Sequence, residues 1–326
     1  MMMKRRRLEA DLNRDAKWFN SPVKLHRGML NDIRRHIPSF ERRGFGLTQA
    51  DSQSTRLNQR LDTIVRMPFD GDTTFVPVGV VSKGYTLVQH EAIIETAADA
   101  LRMADIDLGK VIAEVRITEY VERMGLSLYL PEQFDFDPGD GEPMALRVEC
   151  LNSVDGSTRF RALMGWFRFV CSNGLVIGVT QMDVRRRHVG EIHVKEIGDV
   201  LKAGFTDAEA DKANFTTWMK RALTPKEVEP WVDKALLEKW GFKAAARAYH
   251  IARTGCDGWI SGQYKGQKPT TIAMETADRV PGANTTCSNL FDLSQILAWL
   301  AKERRDVQEQ LEWREQIPGL MKPFLS

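Results

Sequence analysis

Apolar residues alternate with polar ones through the middle of the chain and recur at helical spacing on either side of it. In KVIAEVRITEYV, Val111, Ala113, Val115 and Ile117 alternate with Ile112, Glu114, Arg116 and Thr118, the pattern of a strand with one face buried. RMGLSLYLP repeats it with Leu126, Leu128 and Leu130. After the polar loop PEQFDFDPGDGEP, MALRVECL sets Met144, Leu146, Val148 and Cys150 on one face and Arg147 and Glu149 on the other. The turn NSVDGST leads into the strand RFRALMGWFRFVCS. Asn173-Gly174 then stands between two apolar runs and predicts a hairpin turn, because both residues tolerate positive φ.

Helices flank this meander. QHEAIIETAADALRMADI places Ile93, Ile94, Ala97, Ala98 and Leu101 on one side of an amphipathic helix, and TTFVPVGVVSKGYTLV before it reads as two short extended runs. Ile197, Val200 and Leu201 predict a helix that closes the α+β unit. Beyond it, Thr206 and Glu209 are spaced as a capping box, and Thr224, Pro225, Glu227 and Gly241 mark the start and stop of another helix. A last helix starts at Asp292, with a stripe of Leu293, Leu297, Leu300, Val307 and Leu311 that reads as core packing before it reads as a partner seam. RTGCDGWISGQYKGQKPTT reads as a glycine-rich loop between helices. The expected architecture is α+β: an antiparallel β-meander sheet packed with helices, followed by a mostly helical C-terminal region. Three parts are expected, a basic, weakly ordered arm or cap over 1–60, an α+β core over 61–205 and a helical region over 206–326.

Charge changes the picture where composition does not. The 326 residues are 43% apolar and 28% charged, ordinary for a globular chain, with a formal net charge of +2. Residues 1–60, however, hold 14 Lys+Arg against 6 Asp+Glu, so the rest of the chain is net acidic. A basic arm on an acidic body suits contact with a polyanion; a solvated arm that keeps the protein soluble is the other reading. No apolar run approaches the roughly 18 residues of a membrane helix, and the basic start runs into charged residues with no apolar stretch behind it. The four cysteines are far apart. The chain reads as cytoplasmic, with no membrane partner.

Catalytic motifs are absent from the sequence. GQYKGQK lacks the glycine spacing of a phosphate-binding loop, His188 and His193 are five apart, and Asp135, Asp137 and Asp140 read as a solvated acidic loop. Cys171 has no basic neighbour beside it, so it reads as a strand end and not a nucleophile. No metal or cofactor is expected. What stands out is basic and aromatic. Arg159, Arg161, Trp166, Phe167, Arg168 and Phe169 come from one strand, and Arg185, Arg186, Arg187 and His188 follow the hairpin. Guanidinium groups neutralise phosphates and aromatic rings stack on unpaired bases, so the mixture suits single-stranded nucleic acid. Strand parity puts Arg159 and Arg161 on one face and Trp166 and Arg168 on the other, unless a bulge at Gly165 re-phases them. The alternative is a buried aromatic strand with arginines at its ends.

GYTLVQHEAIIETAADAL, VDGSTRFRALMGWFRFVCSNGL and RRRHVGEIHVKEIGDVL together resemble the prokaryotic domain-of-unknown-function family numbered nine-three-two, whose members are also described as phage/plasmid-like proteins. The family pattern is matched by Asp155-Gly156-Ser157, by Val170-Cys171-Ser172-Asn173, with Gly174 after it, and by Arg187-His188; Val154 stands where a histidine is common. The likeness covers about residues 75–310 and leaves the basic arm outside. It implies a mobile-element protein. By fold-level analogy the meander is also similar to the core of single-strand annealing recombinases. Three functions are therefore carried forward. The first is a protein that binds single-stranded DNA and anneals it as a homo-oligomer. The second is an interaction factor for a host protein. The third is a metal-dependent nuclease using Asp155 and Asp183.

Overall fold

The computed structural model describes residues 17–18, 21–48, 55–158, 160–168, 173–175 and 196–325. The fold is α+β, and its centre is the meander. Strands β6 (Ile112–Thr118), β7 (Arg123–Tyr129), β8 (Met144–Ser153) and β9 (Arg161–Arg168) pair in sequence order, all antiparallel. A short β10 (Asn173–Leu175) completes one edge. At the other edge stands β2 (Ser21–Met29), registered along β6 from Val23 opposite Thr118 to Met29 opposite Ile112, with β1 (Lys17–Trp18) folded against its start. Residues expected to lie in an arm or cap thus supply an edge strand of the main sheet.

The alternation dictates which face is apolar. Val115, Met124, Leu128, Val148 and Met164 are buried on one side, against α2 (His90–Met103) and α3 (Glu196–Lys220). α2 contributes Ile93, Ile94, Ala97 and Leu101, the residues its spacing selected. α3 is one helix of 25 residues and runs through Thr206, where a capping box was expected. Gly204 allows its approach, because a Cβ there would lie 2.9 Å from Met164 Cβ on β9.

A second sheet is built from β3 (Phe40–Thr48), β4 (Thr55–Arg66) and β5 (Val76–Ser82), joined to β2 by the one-turn α1 (Leu30–Arg34). β5 is the first of the two extended runs expected over 73–88; the second forms no named strand.

Beyond Lys220 the chain is mostly helical. α4 (Pro225–Trp231) carries the expected capping box, Glu227 accepting from the amide and hydroxyl of Thr224 at 3.0 and 2.8 Å. Pro230 cannot donate to the turn behind it, and a π turn over Val232–Leu236 follows before α5 (Leu237–Trp240) stops at Gly241, φ +80°. α6 (Phe242–Thr254) ends at Gly255. The glycine-rich segment expected to be a loop starts with a strand, β11 (Cys256–Ile260), which pairs with β12 (Met274–Arg279); residues 261–273, with Gly262 and Gly266, are the loop between them.

The expected leucine stripe is divided between two helices. Leu293, Leu297 and Leu300 of α7 (Leu290–Lys302) enter the main core. Val307 and Leu311 of α8 (Val307–Met321) pack with Trp18, Leu151 and Leu163 on the opposite face of the sheet. Asn289, not Asp292, caps α7, accepting from the Asp292 amide at 2.8 Å, and Asp306 caps α8. Among the described residues no helix is long and apolar enough to cross a membrane.

Gly255 shows how tightly the helical part is joined. Its φ is +70°, and a Cβ would lie 2.4 Å from the Asn284 carbonyl oxygen. Gly255→Ala is expected to lower stability by about 1–3 kcal/mol, read from the midpoint of denaturant unfolding.

Candidate nucleic-acid interface and a polar cleft

The hairpin around FVCSNGL exists, but its turn is not Asn-Gly. Asn173 pairs with Arg168 and Gly174 with Phe167, so both lie in β10 and the connection falls on residues 169–172. Cys171, Arg159, Arg185, Arg186, Arg187, His188, His193 and Asp183 lie outside the described residues.

The described members of the strand cluster do not form a nucleic-acid surface. β9 pairs residue for residue with β8 from Met144–Arg168 to Leu151–Arg161, with no bulge at Gly165, so Arg161 and Arg168 stay on opposite faces. Trp166 is 1% exposed and sits among Phe136 and Phe215, 5.8 and 6.2 Å between ring centroids. It cannot stack on a base without leaving the core. Arg161 is ion-paired to Glu315 of α8 at 3.5 Å. Arg168 is 5% exposed, paired with Asp140, its guanidinium 5.3 Å from the Phe291 ring centroid. The buried-strand alternative describes these three residues.

The Asp155-Gly156-Ser157 motif is a turn locked from several directions. Asp155 Oδ1 accepts from the amide and hydroxyl of Ser157 at 3.0 and 2.5 Å. Gly156 has φ +76° and lies under the Tyr85 ring; Gly79 of β5 has no room for a Cβ, which would fall 2.8 Å from Asp155 Cα. Arg123 holds the turn to the rest of the molecule. Its Nε donates to Ser157 Oγ at 2.7 Å, Nη2 to Asp155 at 3.0 Å and Nη1 to the Trp18 carbonyl at 3.2 Å. Nearby, buried His90 donates from Nε2 to the Val121 carbonyl and accepts at Nδ1 from Asn152, 2.8 and 2.9 Å. The carbonyl can only accept, which fixes that tautomer. His90 and Asn152 thereby steady a Val121 held at φ +60°, a strained angle for a β-branched residue.

The second face of the sheet is charged and buried. Arg147 and Glu149, which alternation assigned to solvent, are 4% and 7% exposed. Arg314 of α8 donates to both Glu149 oxygens at 3.0 and 2.8 Å, and Arg147 pairs with the same carboxylate. Burial alone would raise the Glu149 pKa, but Arg147, Arg314 and Arg116 overcome it and hold the group down at about 2.

Exposed arginine without an ion pair among the described residues is found instead on the β3–β4 hairpin. Near its base Arg42 is committed to Asp62 and to the Tyr85 carbonyl, 2.6 and 2.9 Å, and Arg43 lies over Phe75 beside Glu41. The pairing register shifts between Gly44 and Gly46, and Asn58 Oδ1 there takes the amides of Arg60 and Leu61 at 2.8 and 3.0 Å. Farther out, residues 56–60 are all exposed, and Arg56 and Arg60 make no ion pair among the described residues. Leu47 and Leu57 beside them are 78% and 50% exposed.

A cleft of about 380 Å³ lies at the β9 end of the sheet, where the loop before β8, the β12 end and the α7 start converge. Arg168 and Arg279 line it with Asp140, Glu142 and Gln295. Asp137 accepts from the amides of Gly139, Asp140 and Gly141, so the acidic loop is organised on itself. No group of three His, Cys, Asp or Glu among the described residues could hold a metal. The Cys150 and Cys287 thiols are pushed up to about 12, first by burial, then by Glu149 and Asp292 respectively, which leaves them protonated and unreactive at neutral pH.

This α+β framework and its turn belong to a known group. The chain matches the family described as a domain of unknown function (DUF932) over residues 77–252, and it belongs to that family. It is similar to two proteins of Escherichia coli K12, UPF0380 protein YfjQ and UPF0380 protein YafZ, each 34% identical over 88 residues, which is 27% of this chain and 31% of each relative. The matched stretch therefore spans under a third of those relatives' length. No solved structure matches the chain.

Proposed function

We propose that this protein binds single-stranded nucleic acid, with the β3–β4 hairpin and the basic residues before it gripping the phosphate backbone. The supporting observation is the position of Arg56 and Arg60, exposed on the outer half of a hairpin and without an acidic partner among the described residues. An arginine kept in water without a carboxylate is free to neutralise a phosphate, and the surplus of 14 Lys+Arg over 6 Asp+Glu across residues 1–60 adds long-range attraction. Single strands fit better than duplex because the exposed Leu47 and Leu57 offer apolar surface to unpaired bases. Annealing by a homo-oligomer extends this reading, since an assembly would set several such hairpins along one strand. The alternative role in binding a host protein would have to use the acidic body and the outer faces of the C-terminal helices, because the leucine stripe is buried in two separate cores.

Fluorescence anisotropy of a labelled single-stranded oligonucleotide, beside a matched duplex and at two salt concentrations, tests the proposal. The expected result is preference for the single strand, with log K falling by about 0.7 per phosphate contacted. Arg56→Ala with Arg60→Ala should reduce that salt slope by about 1.4 without changing the melting temperature. Affinity and slope unchanged in the double variant would overturn the assignment of the hairpin.

A further inference from the structure

The cleft beside Arg168 has the marks of a ligand site that the hairpin reading does not use. Arg168 is 5% exposed, yet its guanidinium is only partly answered: one Nη donates to Asp140, while the buried Nε–H has no hydrogen-bond partner among the described residues. Leaving a donor of a charged group unpaired in the interior is costly, and the side chain borders about 380 Å³ of space. That volume lies in the range of about 300–1,000 Å³ typical of small-molecule sites. A second guanidinium, Arg279, lines the same cleft and donates to the Ala283 carbonyl.

The charges around the cleft restrict what can enter. Among the described lining residues Asp140, Glu142 and Asp292 outnumber Arg168 and Arg279, so a phosphate would meet carboxylates. A simple ammonium ion would meet the guanidinium groups and leave the Arg168 Nε–H unanswered. The complementary ligand is uncharged, offers acceptors to a guanidinium and donors to a carboxylate, and is flat enough to fill a cleft. Guanine has that pattern: O6 and N7 accept from an arginine fork, and the N2 amino group donates. Adenine places an amino donor beside N7, where the fork needs an acceptor.

We infer that this cleft binds a single unpaired guanine base, with Arg168 reading its O6/N7 edge and Glu142 accepting from its amino group. The inference rests on the nucleic-acid reading for its biological meaning but on the cleft alone for its chemistry. A strand held by the hairpin would present bases, and this site would retain one kind.

Titration of the full chain with guanosine, followed by saturation-transfer NMR and calorimetry, with adenosine as the comparison, tests it. Saturable guanosine binding is expected, about tenfold tighter than adenosine, in keeping with the discrimination of a bidentate arginine contact. Arg168→Met should abolish it. Because that change also strips Asp140 of its partner, Glu142→Gln and Arg279→Ala serve as variants outside the core pair. Each should weaken guanosine several-fold with an unchanged melting temperature. No saturable guanosine binding, or equal binding of adenosine, would overturn the inference. The two readings fail separately: loss of oligonucleotide binding in the hairpin variant bears on the backbone grip, whereas free guanosine never touches Arg56 or Arg60.

Discussion

Glu149→Ala is expected to destabilise the protein by about 3–5 kcal/mol, the cost of breaking a buried ion pair by removing one partner. Glu149 is the only carboxylate joined both to Arg314 and to Arg147 among the described ion pairs, and all three side chains are 10% exposed or less. Without it, two guanidinium groups stay in the interior facing each other, with Arg116 committed to Glu114 at 2.8 Å. The contact spans 165 residues and pins α8 across the sheet, so its loss should loosen the C-terminal helix first. Hydrogen exchange of α8 amides would show this, and denaturant unfolding would give the total.

The same residue sets an acid limit. Its carboxyl titrates at about 2 in the folded protein against 4.5 ordinarily, so the folded state favours the ionised form. The resulting stabilisation, on the order of 3 kcal/mol, is complete above about pH 4.5 and is lost as pH falls toward 2. Glu149→Gln should flatten the stability profile across that interval. A profile that retains its full slope there would place the acid sensitivity elsewhere.

The meander could be read from sequence because its alternation is strict and the segments between its strands are polar. The charged layer could not. Arg147 and Glu149 obey the same alternation as a solvent-facing pair, and the residue that buries them, Arg314, is supplied by a helix at the far end of the chain. β2 was hidden for a related reason: SPVKLHRGM carries Lys24, His26 and Arg27 among its apolar residues, so charge outweighed its weak alternation. The continuity of α3 went unread because Thr206 and Glu209 satisfy the capping pattern, and only packing of Gly204 on Met164 shows that no cap is used. The site suffered most from one-dimensional reading. Trp166 and Arg168 are close to Arg161 along the strand, but the unbroken β8–β9 register sends the first two into the core and the third toward Glu315. Arg56 and Arg60 carry no motif. Their only sequence signal was the charge surplus of the first 60 residues.

Arg123→Ala is the companion test, and it concerns the Asp155-Gly156-Ser157 motif. Arg123 is a single cation answering Ser157, Asp155 and the Trp18 carbonyl, with Glu122 a further 3.9 Å away. Its removal leaves two carboxylates, each about 10% exposed, without the guanidinium between them. A loss of about 3–5 kcal/mol is expected, with Arg123→Lys restoring part of it, because an ammonium keeps the charge but not the fork. The outcome also separates structure from catalysis. A turn that accepts from its own Ser157, is packed on Gly79 and is clamped by an arginine has its carboxylate fully engaged. Asp155→Asn should therefore lower the melting temperature and produce no change in nuclease assays with magnesium. If the wild-type chain cleaved DNA in magnesium, lost that activity with EDTA, and lost it again in a stably folded Asp155→Asn variant, the motif would be catalytic and its clamp a means of holding a reactive carboxylate in place.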